Sequence, residues 1–135
     1  MILFENSLIR LDYNPATDIL EVCYPDLHDF LLPEIKYSIN ILIDTVKNYD
    51  VKKILLDSSK TTISVSNEES REIAVYLATG LMSTRVQKVA RVQSPSSAVE
   101  RIAQGNIGHI RESQLLPFQL QDFTNKAVAV EWLKA

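Results

Sequence analysis

The stretch KKILLDSSKTTISVSNEES, Lys52 to Ser70, decides how the chain is read. Its apolar triplet Ile54-Leu55-Leu56 ends at Asp57-Ser58-Ser59, and four further hydroxyl residues, Thr61, Thr62, Ser64 and Ser66, follow before Asn67. An unbroken apolar run this short reads as a strand covered on both faces, which is the habit of parallel sheets. The segment Ser66-Asn67-Glu68-Glu69 has the form of a capping box. In that motif the serine hydroxyl accepts from the Glu69 amide while the Glu69 carboxylate reaches back, so a helix starts here. Strand, hydroxyl-rich loop and helix in that order form the repeating unit of an α/β protein.

The same logic extends in both directions. Upstream, SLIRLDY and ILEVCY alternate with period two and flank Asn14-Pro15-Ala16-Thr17-Asp18, whose Asn and Pro favour a turn. They read as an antiparallel hairpin. Pro33 and Glu34 suit a helix start, and Ile35, Ile39, Leu42, Val46 and Tyr49 recur at helical spacing. Downstream of the capping box, Ile73, Ala74, Leu77, Ala78 and Leu81 form an apolar helix face that Gly80 is placed to terminate. VQKVARV is the next strand, and Ser97-x-x-Glu100 reads as a second capping box, opening a helix that Gly105 and Gly108 should stop. LPFQLQDF is a final strand, and TNKAVAVEWLKA a closing helix with Val128, Trp132 and Leu133 apolar. The expected architecture is a single α/β domain over residues 1–135, with an N-terminal hairpin. Its sheet should be mixed, mostly parallel and of about five strands, with helices packed on it.

Composition narrows the class of function. A hydrophobic fraction of 46% and a charged fraction of 23% are ordinary for a soluble globular domain. No apolar run approaches the ~20 residues of a membrane helix, and MILFENSLIR lacks the basic and apolar regions of a signal peptide. Cys23 is the single cysteine and cannot form an internal disulfide, so a reducing cytoplasm is expected, with Cys23 buried as an apolar residue. Net charge is −3, with residues 1–70 acidic and 71–135 mildly basic; no basic cluster points to nucleic acid.

Signatures of catalysis are sparse. The two histidines, His28 and His109, have no metal-ligand spacing, no glycine-rich phosphate loop exists, and GxSxG is absent. Asp57 beside Ser58 lacks a local histidine to take a proton, so an enzyme would have to unite Asp57 with His28 or His109. Gly105-Asn106-Ile107-Gly108 matches the GxxG of KH domains, but it contains no Lys or Arg, and helix termination accounts for it better. No metal or cofactor is expected. In open α/β sheets, ligands bind outside the carboxyl ends of the strands. Here those loops hold Ser58, Ser59, Thr61, Thr62, Ser64, Ser94, Ser96 and Ser97, with Arg91, and Arg85 at the opposite end of its strand, as sources of positive charge for a small anion or polar metabolite. Capping alone also enriches such loops in serine.

The chain resembles the SpoIIAA-like proteins, relatives of the STAS domain of anti-sigma-factor antagonists. KKILLDSS resembles that family's central strand and KVARV its next one. Phe123, Ala129 and Trp132-Leu133 resemble its closing helix, F-x5-A-x2-W-L. The resemblance implies a non-catalytic regulatory or protein-interaction module in which a serine at a helix start is phosphorylated to control binding to a kinase or other regulator. By position, Asp57, Ser58, Ser59, Ser64, Ser66, Ser94 and Ser96 are the candidates for a switch or ligand loop. The glycine that follows the family's target serine is missing, and Glu68 and Glu69 would repel a phosphate on Ser66. The alternative is a module binding a small anion or a lipid-like ligand. Trp132 belongs either in the core or in a homodimer interface, and core placement covers the helix's apolar face.

Overall fold

The computed structural model describes residues 1–24, 26–27 and 30–135. His28 lies outside the described residues. The elements run β1 (Ile2–Glu5), β2 (Arg10–Asn14), β3 (Ile19–Cys23), α1 (Leu32–Asn48), β4 (Lys53–Asp57), α2 (Asn67–Met82), β5 (Lys88–Val92), α3 (Ser97–Ser113), β6 (Gln119–Phe123) and α4 (Lys126–Lys134). The fold is therefore α/β with a mixed sheet and an N-terminal hairpin. The sheet has six strands rather than five, because Ile2–Glu5 adds an edge strand whose register against β2 shifts between Ile2 and Phe4. Too few residues alternate there for the pattern to stand out in sequence.

Strand order is sequential from β1 to β6. The β1–β2 and β2–β3 pairs are antiparallel, and β3–β4, β4–β5 and β5–β6 are parallel. When parallel strands are added one after another in one direction, crossovers of one hand place every connecting helix on the same face. Accordingly α1 packs on α2 and α2 on α3, while α4 lies against β4, β5 and β6. Period-two alternation then sorts the side chains. Leu20, Val22, Ile54, Leu56 and Val89 join the core beneath α1 to α3. Ile19, Leu55, Ala90 and Val92 join a smaller core with Ala129 and Leu133 of α4. Phe123 and Trp132 pack as a tilted pair, 5.5 Å between centroids, at its margin. Val128 is exposed, so Ala129 and Leu133 carry the buried face of α4.

Glycine does not end helices here. Gly80 lies inside α2, and Gly105 and Gly108 lie inside α3. None of the three has a positive φ. Gly80 is a packing residue: a β-carbon there would fall 2.0 Å from Cδ1 and 2.9 Å from Cγ1 of Ile43 on α1. At Gly105 the nearest atom would be Arg71 Nη2 at 3.9 Å, and at Gly108 nothing lies within 4 Å. α2 instead ends at Ser83, whose hydroxyl donates to the Gly80 carbonyl at 2.7 Å.

The three glycines should respond oppositely to alanine. Gly105→Ala and Gly108→Ala gain helix propensity in open space and should each stabilise by about 0.5–1 kcal/mol in urea unfolding. Gly80→Ala gains the same propensity but must displace Ile43, and overpacking of about 1–3 kcal/mol should make it net destabilising. Combining Gly80→Ala with Ile43→Val should recover part of that loss.

Candidate functional site

The loop at the carboxyl end of β4 is sorted by the same alternation. Leu56 and Ser58 face α2 and α3; Asp57 faces the side of α4. Below α2 and α3 lies a cavity of about 190 Å³. Leu56, Val89 and Leu120 line it from the sheet, and Leu77, Ala103 and Ile107 from the helices. One region of its wall is polar: Tyr24, Ser58, Thr61, Ser64, Ser70 and Asn106. A wider groove of about 880 Å³ runs over the outside of α2 and α3 between Arg71 and Arg101, with Glu68 and Glu72 interleaved.

Several of these polar groups are committed to holding the loops together. Thr61 is buried, and its hydroxyl donates to the Tyr24 carbonyl at 3.0 Å. Its own carbonyl accepts from the buried Ser94 hydroxyl, which also accepts from the Ser96 amide at 3.1 Å. The Asp26 carboxylate accepts from the amides of Thr62 at 2.5 Å and Ile63 at 3.0 Å, tying the β3–α1 connection to the β4–α2 loop. Asn106 donates to Ser70 at 3.2 Å and accepts from Arg71 Nε at 3.4 Å. Three hydroxyls on the cavity wall are different. Those of Tyr24, Ser58 and Ser64 have no hydrogen-bond partner among the described residues. Ser58 is only 8% exposed, and burial pushes the Tyr24 phenol up to about 12, so it remains a neutral donor.

The other candidate residues lie elsewhere. Asp57 Oδ1 accepts from the Ser59 amide at 3.0 Å and from the Ser59 hydroxyl at 2.5 Å, a local turn that leaves Ser59 exposed. Ser66 caps α2 by accepting from the Glu69 amide at 3.2 Å, but the reciprocal half of the box is replaced: the Glu69 carboxylate accepts from the Ser66 hydroxyl, at 3.1 Å, rather than from the Ser66 amide. The second capping box is displaced by one residue: Ser96, not Ser97, accepts from the Val99 amide, at 3.3 Å. Glu100 does not reach back to a cap; it is drawn inward by Arg91. That guanidinium makes a bidentate pair with Glu100 at 2.8 and 2.7 Å and lies 3.5 Å from Asp122 Oδ1. The Ser94 amide also donates to Glu100, at 2.8 Å. Burial alone would raise the Glu100 carboxyl, but the hydrogen bonds and charge of Arg91 hold it below its ordinary value. Burial likewise works against the Arg91 cation, and Glu100 and Asp122 more than offset it. Arg91 is thus neutralised within the protein rather than displayed to an anion. Arg85 pairs with Asp50 at 3.0 Å, in the loop before β5 and away from the carboxyl end of that strand.

On the opposite face Glu21, Cys23 and Asp57 bring their ligating atoms within 4.8 Å of one another. This part of the sheet extends beyond α4, which explains why Cys23 is half-buried rather than buried. Burial, then the Glu21 and Asp57 carboxylates, push its thiol up. Lys126 supplies the cation there, paired with Glu21. His109 is exposed on α3, so the sheet stands between it and Asp57.

Ser58 and Ser64 are therefore the candidate residues that the structure brings to one cavity. Tyr24, Asn106 and the ion cluster were not evident beforehand. Tyr24 had a signal, a tyrosine at a strand's carboxyl end, whereas the inward turn of Glu100 depends on Arg91, on β5, the strand before its helix. Comparison of the chain with protein-family models, curated proteins and solved structures gives no match.

Removing Arg91 strands two carboxylates in a poorly solvated site. Arg91→Leu should cost about 3–5 kcal/mol at neutral pH, read by urea unfolding. A carboxyl whose folded pKa is depressed contributes stability above its unfolded pKa and loses it as pH falls through the folded value. The gap between wild type and Arg91→Leu should therefore narrow as pH drops below about 4.3, the ordinary glutamate value.

Proposed function

We propose that this is a non-catalytic binding module whose receptor is the cavity beneath α2 and α3. The observation that carries the reading is the set of Tyr24, Ser58 and Ser64 hydroxyls, without partners among the described residues, on the wall of a largely apolar cavity whose other polar lining groups, Thr61, Ser70, Asn106 and Arg91, are already engaged within the protein. These hydroxyls are still open to the cavity, since the buried side-chain atom left without a partner among the described residues is Asp122 Oδ1, and an apolar pocket with a few convergent polar groups is the usual form of a small-molecule site. Sequential strand order supports this location over the loop rim, because β3 to β6 never reverse direction of addition and open no crevice between diverging loops.

A STAS-like regulatory role is the second reading. It is favoured by the exposure of Ser59 and Ser66, which stand on the loop before α2. In that role the edge of α2 and the preceding loop form the contact surface for a regulator or kinase. Ser58 and Ser94 are too buried to be phosphorylated without local opening; Ser96 is a half-buried cap, whereas Ser66, also a cap, is exposed. An intact mass from the native host showing phosphate on Ser59 or Ser66 supports this role; a serine-to-alanine set with unchanged partner capture removes it.

Toluene tests the receptor reading, since a chamber of ~150 Å³ is known to take benzene. At a hundredfold excess over its dissociation constant the probe should stabilise the protein by about 2.7 kcal/mol, a midpoint rise of about 4 °C or more. Ala103→Phe, which fills the space, should abolish the rise. A wild-type midpoint indifferent to the probe contradicts the reading.

A further inference from the structure

We infer that the cavity selects a small apolar molecule with a single uncharged oxygen head, such as an alkylphenol, a medium-chain alcohol or a ketone, and discriminates against carboxylates and phosphates of the same size. This rests on the receptor reading above and adds the chemistry of its ligand. The size follows from volume. At about 190 Å³ the chamber exceeds the ~150 Å³ that admits benzene, which suits a ligand of about eight to ten non-hydrogen atoms.

The head group follows from what the wall can still offer. Asn106 is engaged by Ser70 and Arg71, and the Thr61 hydroxyl by the Tyr24 carbonyl. What remains among the described residues is three hydroxyls, on Tyr24, Ser58 and Ser64. A hydroxyl both donates and accepts, so such a group matches an alcohol, phenol or carbonyl oxygen without bringing charge. Tyr24 is neutral across the physiological range because burial holds its phenol at about 12.

Charge decides against an anion. Arg91 is the one charged residue among the described residues that line the cavity. Both of its arms are taken: Glu100 binds it bidentately and Asp122 flanks it at 3.5 Å. One cation between two carboxylates leaves the cluster with a formal charge of −1. A ligand carboxylate would enter a largely apolar pocket beside that excess with no free cation among the described lining residues to meet it, and burying an unpaired charge is strongly unfavourable. A hydrocarbon of the same shape would leave the three hydroxyls unmatched, and sites built to hydrogen-bond a hydroxyl reject analogues that lack it.

Titrating the full chain by ¹H–¹⁵N NMR with 4-ethylphenol, 4-ethyltoluene and 4-methylbenzoate at pH 7 separates the outcomes. The phenol should bind on the order of tenfold more tightly than the hydrocarbon, and the benzoate more weakly than either. Ser58→Ala should erase most of the phenol's advantage while leaving 4-ethyltoluene affinity unchanged; Tyr24→Phe provides the same comparison should Ser58→Ala fold poorly. Benzoate binding as tightly as the phenol would overturn the inference but leave the receptor reading standing. Equal binding of phenol and hydrocarbon would also overturn it. If none of the three binds, the receptor reading falls and takes the inference with it.

Discussion

Two regularities of β3 to β6 govern the molecule: strictly sequential parallel pairing and the alternation of side chains across each strand. Sequential addition puts α1, α2 and α3 on one face, and only the short α4 returns to cover the other. The faces therefore carry different chemistry. Ala90 and Ala129, both fully buried, let α4 approach the strands closely. Where α4 runs out, the sheet presents Glu21, Cys23 and Asp57 with Lys126 as counter-charge.

The three-helix side is where space is left over. Its outer layer is drawn together at Gly80, which allows α2 to sit against Ile43 of α1. Farther along α2, Ala74 and Ala78 face the cavity, and α3 answers with Ala103. These small side chains do not fill the distance to the sheet, and interiors otherwise pack to the density of organic crystals. Arg91 lies on the same strand face as Val89, so a cation enters a layer that is otherwise apolar. Glu100 from α3 and Asp122 from β6 compensate it. That ion cluster ties the start of α3 to β5 and β6 and gives the chamber its charge character. Such a cluster is weak evidence for stability, since buried pairs often break even against apolar replacements; its clearer consequence is to leave no free cation at the cavity wall among the described residues.

The order of elements was legible because it rests on periodicity. β4, α1, α2, β5 and the Ser66 cap appear in the structure where alternation, helical spacing and capping chemistry place them. What failed shares one cause, dependence on partners distant in sequence. Gly80 has the composition of a helix stop, and only Ile43 across the α1–α2 contact reveals it as a packing residue. Glu100 sits at capping-box spacing from Ser97, but Arg91 offers two charged donors and wins the carboxylate. The hydroxyl-rich loop is one feature in sequence and three in space: strand alternation sends Ser58 to the cavity, Asp57 and Ser59 to the far side, and Ser66 to a helix end. No local pattern marks a cavity at all, because it is made of volume that neighbouring elements fail to fill.

The central claim is that the space beneath α2 and α3 receives an apolar ligand. Intermolecular nuclear Overhauser effects from the ring protons of bound 4-ethylphenol test it most directly, using methyl-labelled protein. The account predicts contacts to the methyl groups of Leu56, Leu77 and Ile107 on the cavity wall. Contacts confined to Ile19, Leu55 and Val92 beneath α4, or to the exposed Leu115 and Val128, would contradict it.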